Sequence, residues 1–330
     1  MVRPEQYLQP GVARRVKRLD LKAKFIVEGF LAGLHDSPYR GCSLEFSEHR
    51  KYVAGDDPRR LDWTAWAKTD RLFVKTFQAE TNLSAYLLVD TSRSMAYASE
   101  RNGPRRENVA DRSHGRLTRE PRAEARGEQD TAQGMSKLEY ATALAAAIGY
   151  LLVCQHDAVG LGLLGAGLAK LLPPHGSRRQ LVRVLSELAQ TTAEGGTALA
   201  DGLHAVARRA KRRSLMMLLS DLVDEPGPVL EALRHLVFRG HDVIVFQILD
   251  RTERDLDLEG PVILEDPETG ARVATDADHI RSAYGERIAS FVARYERGVH
   301  ALGADFVAMT TSTPFDQALV RFLHERKRRF

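Results

Sequence analysis

From residue 137 onward, the apolar and polar positions of the chain alternate in a regular way. Short apolar runs of strand length are separated by longer segments in which apolar positions recur with a helical period. The predicted helices cover 138–154, 178–190, 200–211, 229–239, 279–302 and 315–327, and the predicted strands cover 83–90, 159–164, 168–172, 214–220, 243–249 and 305–309. A hairpin is predicted at 262–275, with its turn at 266–270. Because strands and helices alternate, we expect an α/β fold with a mostly parallel sheet covered by helices on both faces.

The N-terminal part of the chain follows a different pattern. Residues 1–34 have apolar positions at roughly helical spacing among arginines and lysines, which predicts a helix whose basic residues face solvent. Residues 35–81 form short extended pieces with turn residues near 55–58, which predicts a small β-containing module. The expected organisation is an N-terminal module at 1–81, an α/β domain at 82–310, and a C-terminal helix with a basic tail at 311–330.

The segment 99–136 interrupts the α/β pattern just after the first predicted strand. It is crowded with Arg, Glu, Gly, Asp and Gln and has almost no large apolar residue, so burial cannot offset the entropy lost on ordering. We therefore predict a disordered loop. A tolerated surface insertion is the simpler interpretation of it, and a lid or a partner contact is the alternative.

Composition narrows the class of protein further. The 330 residues are 43% hydrophobic and 28% charged, which is typical of a soluble globular protein with a sizeable core. The 48 basic residues are nearly balanced by 44 acidic ones, so the net charge of +4 gives little support for nucleic-acid binding. Cys42 and Cys154 are too far apart for a metal motif, and the nearly apolar stretch 141–154 is too short to span a bilayer. We expect a cytoplasmic protein without a membrane span.

Oxygen-bearing side chains follow two predicted strands and one glycine turn. Asp90, Ser92 and Ser94 alternate after the first strand, Asp221 follows a second strand, and Thr197 follows two glycines just before a helix. Because parallel strands end at the same edge of a sheet, these five residues are expected to converge. An all-oxygen set with three neutral hydroxyls suits Mg²⁺ or Mn²⁺ rather than zinc or copper. Such an ion keeps positive charge and would attract an external carboxylate.

The same residues resemble a known site. The segments DTSRSM at 90–95, GGT at 195–197 and LLSD at 218–221 are similar to the metal-ion-dependent adhesion site of von Willebrand factor A domains. The resemblance implies a von Willebrand factor A-like (Rossmann-like) sheet. It also implies that Ser92, Ser94 and Thr197 bind the ion directly, whereas Asp90 and Asp221 act largely through water.

A second resemblance lies upstream, in a run between 39 and 68 that contains GDDPRRLDW at 55–63. This run resembles the bacterial family called domain of unknown function 58, whose members are similar to A domains and are commonly encoded beside MoxR-type AAA+ ATPases. The likeness covers roughly 25–250, and the long insertion 99–136 departs from the family's usual short connection. Taken alone, GDDPRRLDW is read equally well as a tight turn or as a docking segment.

These resemblances imply a non-enzymatic adaptor that grips a partner carboxylate through a bound cation. The implied partner is a MoxR-type AAA+ ATPase, or an acidic client protein that is being assembled or matured. Two alternatives stay open. A phosphohydrolase could use Asp90 as nucleophile, although it would want an acid where Ser92 stands. A nucleic-acid-binding protein could use the basic N-terminal helix and the tail at 326–329.

Overall fold

The computed structural model describes residues 83–99, 134–315, 317, 318 and 320, together with the backbone of 49–51 and 73–75. The predicted N-terminal helix 1–34 and the segment GDDPRRLDW lie outside the described residues. So do nearly all of the predicted loop 99–136, most of the predicted helix 315–327 and the basic tail.

A six-stranded sheet forms the centre of the described fold. Its strands, in chain order, are β3 (Ser84–Asp90), β4 (Ala158–Gly165), β5 (Gly167–His175), β6 (Leu215–Ser220), β7 (Asp242–Leu249) and β10 (Asp305–Thr310). Their order across the sheet is β10-β7-β6-β3-β4-β5, and every neighbouring pair is parallel except β4 and β5. The predicted mostly parallel α/β sheet is therefore confirmed. Two separate antiparallel pairs join β1 (His49–Lys51) to β2 (Phe73–Lys75) and β8 (Pro261–Glu265) to β9 (Arg272–Asp276).

Six α-helices accompany these strands in the described part of the chain. They are α1 (Lys137–Cys154), α2 (Arg178–Gln190), α3 (Leu199–Arg209), α4 (Pro226–Phe238), α5 (Arg251–Asp255) and α6 (Ala277–Ala301). Helix α4 starts three residues before its predicted start, because a proline in the first turn has no hydrogen bond to lose. Helix α5 was not predicted, since five residues are too few to show a helical period.

Strand β3 has an apolar side chain at nearly every position because it is buried on both faces. Ala85, Leu87 and Val89 pack in one hydrophobic cluster with α1 and α2, whereas Tyr86 and Leu88 pack in a second cluster with α3, α4 and α6. A strand at the centre of a parallel sheet needs this near-continuous apolar run, since neither face meets water.

Helix α1 is the most apolar helix of the described chain, and it is a core element. By length and composition alone it could cross a membrane, but 72% of the qualifying stretch is buried inside the fold. Its N-terminus is closed by a capping box between Ser136 and Glu139, in which each side chain accepts a backbone N–H of the other residue. Burial against the sheet accounts for the apolar character of α1.

The strand order fixes the location of the candidate site. The chain adds β4 and β5 on one side of β3 and then returns to add β6, β7 and β10 on the other side. The direction of strand addition thus reverses between β3 and β6. In open α/β sheets, ligands bind outside the carboxyl ends of the strands at such a switch point. Asp90 is the last residue of β3, and Asp221 directly follows β6.

Gly160 marks a close approach of β4 to the edge strand β5, and its replacement tests this packing. A Cβ at Gly160 would lie 2.6 Å from the carbonyl oxygen of Leu172 and 3.0 Å from the nitrogen of Pro174, which are backbone atoms. We expect Gly160→Ala to lower the free energy of unfolding by about 1–3 kcal/mol in urea titrations. In the control Gly285→Ala in α6, the new Cβ meets no described atom within 4 Å, so stability should be unchanged or raised by up to about 1 kcal/mol. Equal stability of the two variants would contradict the packing.

Candidate functional site

The Asp90 carboxylate lies between the ends of two neighbouring strands. It is only 1% exposed. One oxygen accepts the backbone N–H of Ser92 at 2.9 Å, and the other accepts the hydroxyl of Ser220, the last residue of β6. A short 3₁₀ helix at Arg93–Ala96 then turns the chain so that the hydroxyl oxygens of Ser92 and Ser94 lie 3.0 Å apart. The structure thus brings Asp90, Ser92 and Ser94 together.

The loop that carries Thr197 is joined to this first loop by backbone hydrogen bonds. Glu194 donates to the carbonyl of Thr91 at 3.0 Å, and Arg93 donates to the carbonyl of Gly195 at 3.2 Å. Gly195 has a φ of +84°, which favours glycine at this turn. Thr197 is half-buried, and its hydroxyl donates to the carboxylate of Glu268 rather than to the Asp90 loop. The two loops are therefore adjacent, while the Thr197 hydroxyl points to a partner that the sequence did not suggest.

Asp221 lies on the opposite side of the switch point and is also 1% exposed. One of its oxygens accepts the backbone N–H of Val223 at 3.1 Å, and the other accepts Lys137 Nζ at 2.7 Å. Between Ser220 and Val223, Leu222 has a positive φ of 58°, a strained conformation for leucine that directs its N–H to the Ser220 hydroxyl at 2.9 Å. Both oxygens of Asp221 are therefore occupied by protein donors.

Lys137, the first residue of α1, is fully buried beside this carboxylate. Its ammonium group lies 2.7 Å from Asp221 Oδ2 and 2.6 Å from Glu253 Oε1. Burial alone would lower the pKa of Lys137, but the charges of Asp221 and Glu253 outweigh it and raise this pKa above its ordinary value. Lys137 is therefore a fixed positive charge at the site.

Among the described residues, no cation pairs with Asp90 in the way that Lys137 pairs with Asp221. Burial, and then the negative charge of Asp221, raise the pKa of Asp90 to about 6, although hydrogen bonds from Ser220 and Ser92 oppose the shift. Burial also raises the pKa of Glu253 against the attraction of Lys137. Lys137 thus pairs with Asp221 and Glu253, while the nearby Asp90 carboxylate is buried and repelled by Asp221. The electric field at this strand edge therefore favours a further cation.

The residues at this edge fit a hard divalent cation. All candidate donors are oxygens, which Mg²⁺ and Mn²⁺ prefer, and a cation near Asp90 would relieve its repulsion with Asp221. No group of three or more His, Cys, Asp or Glu suited to a metal occurs in the described part of the chain, so direct ligands here would come mainly from hydroxyls. Because both oxygens of Asp221 already accept hydrogen bonds, this residue is suited to stabilising a cation indirectly, by its negative charge or through a bridging water, and not as a direct ligand. The metal site stays a prediction.

Several residues of the site were missed by sequence reasoning. They are Lys137, Ser220, Asp250, Glu253 and Glu268. Two signals were available. Asp250 follows β7 as a third aspartate at a strand end, and Lys137 stands at a helix N-terminus, where a positive charge is unfavourable unless something compensates it. The pairing with Glu253 spans 116 residues, and no local pattern indicates it.

Asp250 connects neighbouring loops to the site through hydrogen bonds. It is 2% exposed and caps the N-terminus of α5, where its side chain accepts the N–H of Thr252 at 2.9 Å. Its other oxygen accepts the hydroxyl of Thr311 at 3.2 Å and the N–H of Ser99 at 3.3 Å. The carboxyl end of β7 therefore anchors both the loop after β10 and the last described residue of the first loop.

The doubly wound sheet, with oxygen side chains from three loops at its switch point, defines an α/β protein of the von Willebrand factor A-like kind. Residues 48–113 and 123–293 match the family described as protein of unknown function DUF58, and the chain belongs to this family. Neither the description of this family nor the names of the curated relatives mention an enzymatic activity.

The curated relatives include uncharacterized proteins of Mycobacterium tuberculosis and Mycobacterium bovis. Each is 26% identical over 326 residues, which covers 97% of this chain and 91% of the relative. A Mycobacterium avium protein, also uncharacterized, is 29% identical over 133 residues, or 39% of this chain and 76% of the relative.

Solved structures give weaker matches. BatB, a conserved hypothetical protein from Bacteroides thetaiotaomicron, is 15% identical with a TM-score of 0.43, over 74% of this chain and 99% of that one. An aerotolerance-related membrane protein from Bacteroides fragilis gives the same values. The SpRpn10 VWA domain is 9% identical with a TM-score of 0.37, over 72% and 94% of the two chains. Similarity at this level carries no functional inference.

The raised pKa of Asp90 predicts how the stability of the metal-free protein depends on pH. The folded state binds the Asp90 proton more tightly than the unfolded state, so stability is lost as pH rises from the ordinary pKa of 3.8 through about 6. The loss should be on the order of 2–3 kcal/mol. In Asp90→Asn this component is absent, and the free energy of unfolding should fall less between about pH 4.5 and about pH 7.5. Urea titrations of both chains check this, and identical slopes would contradict it.

The burial of Lys137 predicts a large effect of removing its charge. In Lys137→Met, the buried Asp221 and the half-buried Glu253 lose their cation, and the free energy of unfolding should fall by about 3–5 kcal/mol. Adding Glu253→Gln should restore part of this loss. The control is Lys170→Met, which breaks a 2.6 Å pair with Glu187 at the surface and should cost less than about 1 kcal/mol. Similar losses in the two lysine variants would show that the Lys137 pair is not buried as described.

Proposed function

We propose that this protein is a non-enzymatic adaptor that binds Mg²⁺ or Mn²⁺ at the switch point and uses the ion to bind a carboxylate of a partner protein. The observation that carries the proposal is the convergence of Asp90, Ser92 and Ser94 at the end of β3, facing a second buried aspartate at the end of β6. A helix cap would explain one of these loops, but it would not explain two buried carboxylates that repel each other.

The residues have different roles in this proposal. The hydroxyls of Ser92, Ser94 and Thr197 would bind the ion directly, and Asp90 and Asp221 would balance its charge. Neutral hydroxyl ligands leave the ion with net positive charge, so it favours a carboxylate from outside. Lys137 holds Asp221 in place and keeps its charge partly neutralised. The ion would then bridge the aspartates of this protein and a carboxylate of the partner protein.

The geometry disfavours the phosphohydrolase alternative. Asp90 is 1% exposed, and both of its oxygens accept hydrogen bonds. A nucleophile needs a free oxygen that a substrate phosphorus can approach. The side chain two residues later is Ser92, which supplies no acid for the leaving group. The nucleic-acid alternative rests on basic termini that lie outside the described residues.

The partner and the location are proposed from the sequence. Because relatives in the DUF58 family are commonly encoded beside MoxR-type AAA+ ATPases, we propose such an ATPase, or an acidic client that it remodels, as the partner. A chain with two unpatterned cysteines and an apolar helix that is buried in its core suits the cytoplasm. Assembly or maturation of a larger complex is the process that fits an adaptor of this kind.

Metal dependence is the direct test of this function. Isothermal titration with Mn²⁺ should show one site in the wild type, and in Thr197→Ala the affinity should be about tenfold lower or worse, because a direct ligand is lost. Thr192→Ala, which changes an exposed threonine in the same connection, is the matched control and should bind Mn²⁺ normally.

Affinity capture from lysate, with Mg²⁺ and a non-hydrolysed ATP analogue, tests the partner. The wild type should retain a AAA+ ATPase, whereas Asp90→Ala or added EDTA should release it. Capture that is unchanged in EDTA would refute metal-bridged binding. Phosphatase turnover by the purified protein would favour the enzymatic alternative.

A further inference from the structure

The hairpin formed by β8 and β9 brings a carboxylate of the chain itself to the candidate site. Glu268 lies in the turn of this hairpin, and its side chain accepts two hydrogen bonds from Thr197. One comes from the threonine hydroxyl, and the other comes from the backbone N–H at 3.3 Å. Glu268 is half-buried, although Asp266, Pro267, Thr269 and Gly270 around it are exposed. The tip therefore rests on the site through this glutamate.

The turn is built to present this side chain. The Asp266 carboxylate accepts the N–H of Glu268 at 2.9 Å and the hydroxyl of Thr269 at 2.5 Å. Gly270 has a φ of +72°, which closes the turn, and Glu265 pairs with Arg272 at 2.8 Å across the base of the loop. Glu268 thus belongs to an ordered turn whose own hydrogen bonds leave its carboxylate directed at Thr197.

Thr197 is one of the three hydroxyl residues to which we assign direct metal binding, and this determines what Glu268 does. We propose that Glu268 is a built-in ligand of the cation: in the free protein it takes the position that a partner carboxylate takes in the complex. The inference rests on the proposed function, because it requires the cation. On this proposal, the hairpin at Pro261–Asp276 is a removable cap over the cation. The partner protein displaces the cap with a carboxylate that competes with Glu268.

The hairpin is suited to being displaced. A two-stranded hairpin is marginally stable by itself, and most residues of β8 and β9 are exposed or only half-buried. Its base is held firmly: Ala277 donates to the carbonyl of Gly260 at 2.9 Å, and Gly260 donates to Asp278 at 3.0 Å. The tip can therefore leave Thr197 while the base stays attached to α6. The apparent affinity for a partner is then the intrinsic affinity multiplied by the fraction of molecules that are open, so a mostly closed hairpin weakens partner binding.

Glu268→Gln tests the cap, and Glu265→Gln is the matched control. Both variants remove one carboxylate from the same hairpin, but Glu265 faces Arg272 instead of Thr197. Mn²⁺ affinity is measured by isothermal titration, and amide exchange of the hairpin is followed with and without Mn²⁺. The external ligand is a short glycine–serine peptide with one glutamate, and the same peptide with glutamine serves as the blank.

We expect Mn²⁺ to slow amide exchange of the hairpin in the wild type and in Glu265→Gln, and the glutamate peptide in large excess to reverse this protection. Glu268→Gln should bind Mn²⁺ several-fold more weakly, show no protection, and bind the peptide several-fold more tightly once loaded with Mn²⁺. If the wild type and Glu268→Gln bind Mn²⁺ equally and the hairpin is unaffected, the cap is refuted while the metal site stands. If neither folded chain binds Mn²⁺, both the cap and the proposed function are refuted.

Discussion

The burial of the Asp90 carboxylate at the switch point is the constraint on which the rest of the site depends. Its hydrogen bond from Ser220 joins the ends of β3 and β6, the two strands at which the sheet reverses its order. A buried carboxylate is costly unless it is compensated, and the second carboxylate at Asp221 increases the cost. The neighbouring loops therefore have to supply donors and positive charge.

Lys137 provides part of that compensation and links the site to the core. It stands at the N-terminus of α1, where the helix dipole disfavours a cation, yet it is fully buried between Asp221 and Glu253. Its own N–H donates to the carbonyl of Tyr97 at 3.1 Å, which attaches the first loop to α1. Because the body of α1 packs on the sheet, the same helix stabilises the core and positions the charge that holds Asp221.

Periodicity predicted the architecture well because each strand and helix of the sheet carries its own pattern. The two strand ends and the glycine turn were also visible in the sequence, so Asp90, Ser92, Ser94, Thr197 and Asp221 could be named in advance. Sequence reasoning failed where contacts between residues far apart in the chain determine the partner of a side chain. Nothing local pairs Lys137 with Glu253 or directs Glu268 to Thr197, and β5 runs through Pro173 and Pro174, which an edge strand tolerates.

Under the proposed function, the contact between Glu268 and Thr197 would also affect specificity. If a site of hydroxyls and one cation were open, it would accept any accessible carboxylate, and acidic side chains are abundant on protein surfaces. In the proposed site, an external carboxylate has to compete with Glu268 for the cation. Because the two groups are chemically equivalent, a single external carboxylate gains little free energy by replacing Glu268. At low concentration, a partner would displace Glu268 only if it adds contacts beyond its carboxylate, for example with the exposed Ile263 and Val273 of the hairpin. A carboxylate without such contacts would have to be in large excess. In the proposed complex, discrimination between partners would come from those added contacts, while the cation would supply an attraction common to all acidic partners.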